Sequence, residues 1–194
     1  VCAGRFVAVA SELDMPLNHL TTLLNKRTRR PYRYWRVQVN FTMPEWRNRW
    51  NEMYQGGYAA IGWKELGNLN DIEKSKAGLD RIKQLMKSRY NEAGGWAREV
   101  YSFVAEMEIG DVVLAFEQDT VVGLGRIDGE YIYTPEDELS PHHRKVNWFE
   151  NESWNLPVSE SSTRAVRKLK DTQNQLEIEK HLFASGEESE TTPQ

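Results

Sequence analysis

Cysteine occurs once, at Cys2, so the chain closes no internal disulfide and carries no thiolate metal site, which fits a reducing compartment. Histidine is scarce as well. His19, His142, His143 and His181 include no pair at the i, i+4 spacing of a helical zinc site, and the adjacent pair His142-His143 points to opposite sides of an extended chain. No metal-hydrolase pattern results. No apolar run approaches the roughly 20 residues of a membrane-spanning helix, and 39 % hydrophobic with 28 % charged residues marks a soluble globular chain. Walker loops, nucleophile elbows and His-Glu-x-x-His are all missing. Gly123-x-Gly125 lacks the third glycine and the helix of a dinucleotide site, and lies inside a strand, where glycine serves close packing or curvature. Glu136 and Glu138 sit in a polar loop with no apolar enclosure to raise a pKa. The expectation is a binder without catalytic residues, metal or cofactor.

What is present is aromatic residues and unevenly placed charge. The 194 residues suit one domain with appendages. Seven Trp exceed what a core of this size requires, so some are expected to do something other than pack. The net charge of -4 hides an asymmetry: Met15 to Pro44 holds no acidic residue, while Lys26, Arg27, Arg29, Arg30, Arg33 and Arg36 lie within it. That run is either a footprint for a polyanion or a solvated linker, and a pI of about 5.7 requires any nucleic-acid contact to be local. Ala184 to Gln194 carries Glu187, Glu188 and Glu190 among Ser, Thr, Gly and Pro and reads as a disordered tail. A start at Val1 without a signal-peptide pattern leads to the expectation of a domain from a longer cytoplasmic chain. Three regions are expected: 1–33, a helical segment with a basic linker; 34–183, the globular domain; 184–194, the tail.

Periodicity supplies the elements. Phe6 to Leu24 reads as two helical pieces around Pro16, either a partial helix-turn-helix or a helical hairpin. Arg33 to Phe41 alternates as a half-buried strand, Pro44 to Tyr54 is an amphipathic helix closed by Gly56-Gly57, and Tyr58 to Trp63 is a second strand. A helix capped at Asn70 or Asp71 runs to Tyr90, and another spans Trp96 to Met107. Val112 to Phe116 and Thr120 to Ile127 form a hairpin, extended by Tyr131 to Tyr133; after the polar loop Thr134 to His143 comes the strand Arg144 to Phe149. A helix near Ser161 to Leu169 and an apolar segment Leu176 to Leu182 follow. The fold class is α+β, a curled, mainly antiparallel sheet or barrel of five to six strands surrounded by helices.

Three strings taken together are informative: Ala60-Ile61-Gly62-Trp63-Lys64-Glu65-Leu66-Gly67-Asn68-Leu69, Glu108 to Ala115, and Val122 to Tyr131 leading to His143-Arg144-Lys145-Val146-Asn147-Trp148. Over about Tyr34 to Pro157 their order resembles an EVE/YTH-like domain of the PUA superfamily, the kind found at the N-terminus of McrB-type modification-dependent restriction proteins. The resemblance implies a PUA-like curled sheet with a pocket that receives one base flipped from its strand, N6-methyladenine favoured. It implies that Trp63 stacks on the base and that Asn40 reads its edge. The second wall of the aromatic cage comes, in that family, from the loop before the last strand. Here Thr134 to His143 holds no aromatic residue, and Tyr131, Tyr133 or Phe41 is expected to replace it.

The candidate base-binding residues are therefore Trp63, Asn40, Phe41, Lys64, Tyr131 and Tyr133, and the phosphate-binding ones Arg29, Arg30, Arg33, Arg144 and Lys145. Trp35, Trp46, Trp50 and Trp148 lie on apolar faces and are expected in the core, Trp96 starts a helix, and Trp154 closes the base of the barrel. Three functions compete: a DNA-binding specificity domain that serves a restriction motor or nuclease, an RNA-binding PUA-like module, and a protein-interaction domain using the Trp-rich helix Trp46 to Tyr54.

Overall fold

The computed structural model describes residues 21–22, 25, 30–41, 47–92, 95–160 and 164–185. The helical reading of Phe6 to Leu24 lies outside these apart from Thr21 and Thr22, which are helical, and so do Lys26, Arg27, Arg29, Trp46 and 186–194. β1 (Tyr34–Gln38) sits where the alternation expects a strand, Trp35 and Val37 facing one apolar cluster and Tyr34 another. β2 (Asn40–Phe41) continues it and pairs antiparallel with β3 (Arg47–Asn48).

That pairing corrects the helix expected from Pro44. Arg47 and Asn48 are held in the β2–β3 ladder, and Oδ1 of Asn48 then accepts the N–H of Trp50 at 2.8 Å, so α1 spans only Trp50–Gly56. Trp50 and Met53 turn inward. Ring stacking seals that side: Trp50 meets Trp148 edge-on at 4.9 Å, and Nε1 of Trp148 donates to the carbonyl of Met53 at 3.2 Å. The described part of the Trp-rich helix thus spends its apolar face on the protein itself.

β4 (Tyr58–Ile61) follows, then a 3-10 turn at Lys64–Leu66. α2 (Lys76–Tyr90) begins later than expected because Ser75, not Asn70 or Asp71, is its cap, Oγ accepting the N–H of Gly78 at 3.1 Å. α3 (Gly95–Tyr101) passes into a π-helical turn at Ser102–Glu106, so the helix expected through Met107 changes its hydrogen-bond register. β5 (Val112–Glu117), β6 (Thr120–Tyr133) and β7 (His142–Glu150) form the meander, with β8 (Trp154–Asn155) pairing back onto β6. The helix expected near Ser161 to Leu169 is instead β9 (Val166–Leu169), antiparallel to β1. Val166 and Leu169 supply buried faces there, and Glu99 accepts the N–H of Ala165 at 2.7 Å and of Val166 at 3.3 Å. The apolar segment from Leu176 belongs to α4 (Thr172–Ala184), capped by Asp171.

The fold is α+β. Seven strands rather than five or six make one sheet in the order β4-β7-β6-β5-β1-β9 with β8 on β6; β1 runs parallel to β5 and the other pairings are antiparallel. The sheet curls until β4 comes back against β1, and its hollow takes Ile82 and Met86 of α2 and Val100 and Phe103 at α3. Close packing needs glycine at Gly123: a Cβ there would stand 2.0 Å from the ring of Trp50. Among the described residues no helix is long and apolar enough to cross a membrane.

Candidate functional site

Trp63 leaves β4 into the 3-10 turn with φ 66° and ψ 45°, a left-handed conformation uncommon outside glycine, Asn and Asp. It is half-buried, one side on the main core. The ring facing it is Trp96, in the first turn of α3, with centroids 6.4 Å apart and planes tilted by 49°. Trp96 is 46 % exposed, unlike the other tryptophans described. The pair forms a V-shaped aromatic cleft.

Of the rings expected from the sequence as the second wall, Tyr131, Tyr133 and Phe41, the first two lie elsewhere. Tyr131 is 9 % exposed, its hydroxyl 2.7 Å from Nδ1 of His142 and approached by the N–H of Leu69 at 3.4 Å. Burial pushes its phenol up to about 12. Tyr133 is half-buried and tilted against the His142 ring at 5.6 Å. Both lie against His142, whose Nε2 meets the Trp63 carbonyl, and among the described residues the ring paired with Trp63 is that of Trp96. Phe41 pairs through its backbone with Arg47. Lys64 is exposed at the start of the turn that Trp63 opens. Asn40 lies opposite Asn48, partly buried, and its Oδ1 has no hydrogen-bond partner among the described residues.

Beside α3 opens a cleft of about 700 Å³ lined by Arg33, Lys74, Arg98, Arg164, Arg167, Lys168 and Lys170 against two carboxylates, Glu99 and Glu106. Gly95 and Arg98 line it too, so the short helix that carries Trp96 also carries part of the cationic wall. Four of the cations are tied internally. Arg33 holds Asp111 at 3.0 and 2.7 Å, Arg98 holds Glu106 at 2.7 Å, Arg164 holds Glu99 at 2.9 Å, and Lys74 pairs with Glu108. Arg167, Lys168 and Lys170 have no ion-pair partner among the described residues. Burial, and next the Arg33 guanidinium, hold the Lys168 ammonium below the usual lysine range. An anion bound in the cleft would offset that like charge.

Of the basic run, Lys26, Arg27 and Arg29 lie outside the described residues. Arg33 reaches the cleft; Arg30 is bound to Asp111 at 2.6 Å and Glu108 at 3.1 Å. Arg36 is 1 % exposed and lies over the Phe116 ring at 4.2 Å. Arg144 is a correction. It is 2 % exposed and donates to the carbonyls of Phe103 at 2.6 Å and Val104 at 2.7 Å, which the π-helical turn leaves open, so no donor is presented to a phosphate. Burial lowers its guanidinium to about 10. Lys145 is exposed on β7, 3.3 Å from Asp128, and is not part of the cleft. The missed residues are Trp96 and the β9 cations. Arg164-Ala-Val-Arg-Lys-Leu-Lys170 was the available signal, hidden by its reading as a helix.

Among the described residues no group of three or more His, Cys, Asp or Glu is placed to hold a metal. A model of a domain of unknown function, DUF8426, matches residues 35–173. No curated protein matches the chain in sequence. Similar solved structures include the YTH domain of the Zygosaccharomyces rouxii MRB1 protein in complex with N6-methyladenosine RNA. It is 10 % identical, covering 77 % of this chain and 88 % of that one at a TM-score of 0.40. Protein Atu2648 from Agrobacterium tumefaciens is 15 % identical over 79 % of this chain and 93 % of its own, with a TM-score of 0.37.

Proposed function

The chain belongs to the DUF8426 family, and we propose that it is a nucleic-acid reader that holds one base, N6-methyladenine favoured, between Trp63 and Trp96 while phosphates lie in the cationic cleft. One observation carries this reading: α3 presents a half-exposed indole, Trp96, to Trp63, and two residues on, its Arg98 lines the cationic cleft. A base stacked between two parallel rings needs them about 6.8 Å apart, twice the roughly 3.4 Å stacking step. The 6.4 Å separation is close to that, and the 49° tilt would have to be removed by rotation of the half-exposed Trp96 ring when a base enters.

The energies are compatible. Extracting a base costs a few kcal/mol, and each aromatic face returns roughly 1–3 kcal/mol. A methyl on the exocyclic amine adds about 0.8 kcal/mol when buried, so selectivity rests on the fit of the cage. The protein works in this reading as a cytoplasmic binder, without catalysis or cofactor.

The resemblance to modification-dependent restriction proteins supports DNA as the strand and a restriction motor or nuclease as the partner module. RNA is the second reading, favoured by the same geometry: ring stacking and phosphate contact need no duplex, and a single strand offers its base without the cost of unpairing. The test is a binding comparison of oligonucleotides bearing N6-methyladenine, 5-methylcytosine or 5-hydroxymethylcytosine with unmodified ones, in DNA and RNA. Tighter binding of the N6-methyladenine strand, lost in Trp63→Ala, is the expected result. Equal affinity for modified and unmodified strands overturns it.

A further inference from the structure

The left-handed backbone of Trp63 persists only where its surroundings hold it. Two hydrogen bonds end on its carbonyl oxygen, from the N–H of Leu66 at 3.0 Å and from Nε2 of His142 at 3.2 Å. The first is the local bond of the 3-10 turn. The second comes from the start of β7, 79 positions along the chain, and is the tertiary restraint.

A carbonyl oxygen only accepts, so Nε2 carries the proton, and Nδ1 of the neutral ring is left as an acceptor. Nδ1 meets the Tyr131 hydroxyl, which therefore donates, while the N–H of Leu69 donates to the same phenolic oxygen. Every role in the run Leu69, Tyr131, His142, Trp63 is thereby set. Water has no access to its middle, since His142 is 0 % exposed and lies against the rings of Tyr131 and Tyr133. Leu69 follows the 3-10 turn, so the run ties both ends of segment 63–69 to the β6–β7 hairpin.

We infer that His142 is a positioning residue of the base site, an assignment that rests on the reading above. It holds the Trp63 carbonyl, and with it the backbone turn that sets the indole against Trp96. His142 touches neither base nor phosphate in this scheme; it acts through Trp63. Gln can supply the same pair of roles, an amide N–H to donate and a carbonyl to accept, whereas Leu supplies neither.

The test uses two single strands that differ only in one N6-methyladenine, with whichever backbone, DNA or RNA, the wild type binds more tightly. Affinities and thermal melts are measured for the full chain as wild type, His142→Leu, His142→Gln and Tyr131→Phe. In His142→Leu the methylated-to-unmethylated affinity ratio is expected to fall by about threefold or more, toward one, while unmethylated binding through the cleft stays within about twofold. His142→Gln restores most of the ratio, and Tyr131→Phe falls between. An unchanged ratio in His142→Leu and Tyr131→Phe overturns the inference. So does an equal loss of binding to both strands, the outcome of a purely structural role. If His142→Leu does not fold, Tyr131→Phe decides alone. A wild type that binds both strands equally sinks the base-reading proposal itself and is a separate result.

Discussion

Trp96 and Trp63 face each other at 6.4 Å across a V-shaped cleft, one ring anchored on the core and the other 46 % exposed. The asymmetry separates binding from stability. Trp96→Ala removes one stacking face, and affinity for the N6-methyladenine strand is expected to fall by roughly 1–3 kcal/mol, or about 5- to 150-fold. Its melting temperature changes little, because so much of the ring is already in water. Fluorescence anisotropy and thermal melts together check this, and a melting loss without an affinity loss would assign Trp96 to packing.

The cations of β9 act differently. Replacing Arg167, Lys168 and Lys170 by Ala removes the cleft-lining charges that have no ion-pair partner among the described residues. For a single strand, each lost phosphate contact lowers the slope of log affinity against log salt by about 0.7. The triple variant is expected to weaken methylated and unmethylated strands alike and leave their ratio unchanged. A titration across salt concentrations reads both quantities; a wild-type slope in the triple variant places the backbone elsewhere.

His142 makes stability depend on pH. Burial, chiefly, and the neighbouring His143 push its imidazole down to about 4 from an ordinary 6.5, against the opposing bond to the Trp63 carbonyl; Tyr131 and Tyr133 also face the ring. The unfolded chain takes up the proton near 6.5 and the folded chain only near 4. The contribution is thus full above about pH 6.5 and is lost as pH falls toward 4, at most on the order of 3 kcal/mol. Carboxylates such as Asp137 titrate lower in the same direction: burial raises it, but the hydrogen bonds from His143 and Arg49 outweigh that and lower it. The diagnostic is the difference between wild type and His142→Gln in urea unfolding from pH 7 to 4.5. Parallel curves would mean that His142 is not the group responsible.

Gly123→Ala tests the close approach under α1. A Cβ 2.0 Å from the Trp50 ring forces α1 or β6 to move, at a typical cost of about 1–3 kcal/mol. Calorimetry should show a melting temperature lower by roughly 2–12 °C. An unchanged melting temperature would show that the ring relocates freely.

The alternation of Arg33 to Phe41, the hairpin at Val112 to Ile127 and the apolar stripe of α2 are local signals, legible because side-chain period follows backbone geometry. Gly123 as a packing glycine was legible for the same reason. Trp63 stood out because it leaves a strand between a glycine and polar residues. The partner ring was not legible. Trp96 lies 33 positions further along, and only the packing of α3 against the curled sheet brings the two together. The β9 segment failed for the opposite reason: Val166 and Leu169 at a spacing of three read as a helix, but β1 offered an open edge and Glu99 offered acceptors, so the tertiary ladder overrode the local pattern.

Sequence by itself determined the class of the fold, the lack of catalytic and metal motifs, and the surplus of tryptophan. The tertiary structure decided which charges are free. Arg36 and Arg144 are spent inside, on an aromatic ring and on carbonyls, because burying a guanidinium requires partners for its donors, while the cations of an edge strand keep theirs for the cleft. Composition counts charges; only burial and pairing decide which of them a ligand can meet.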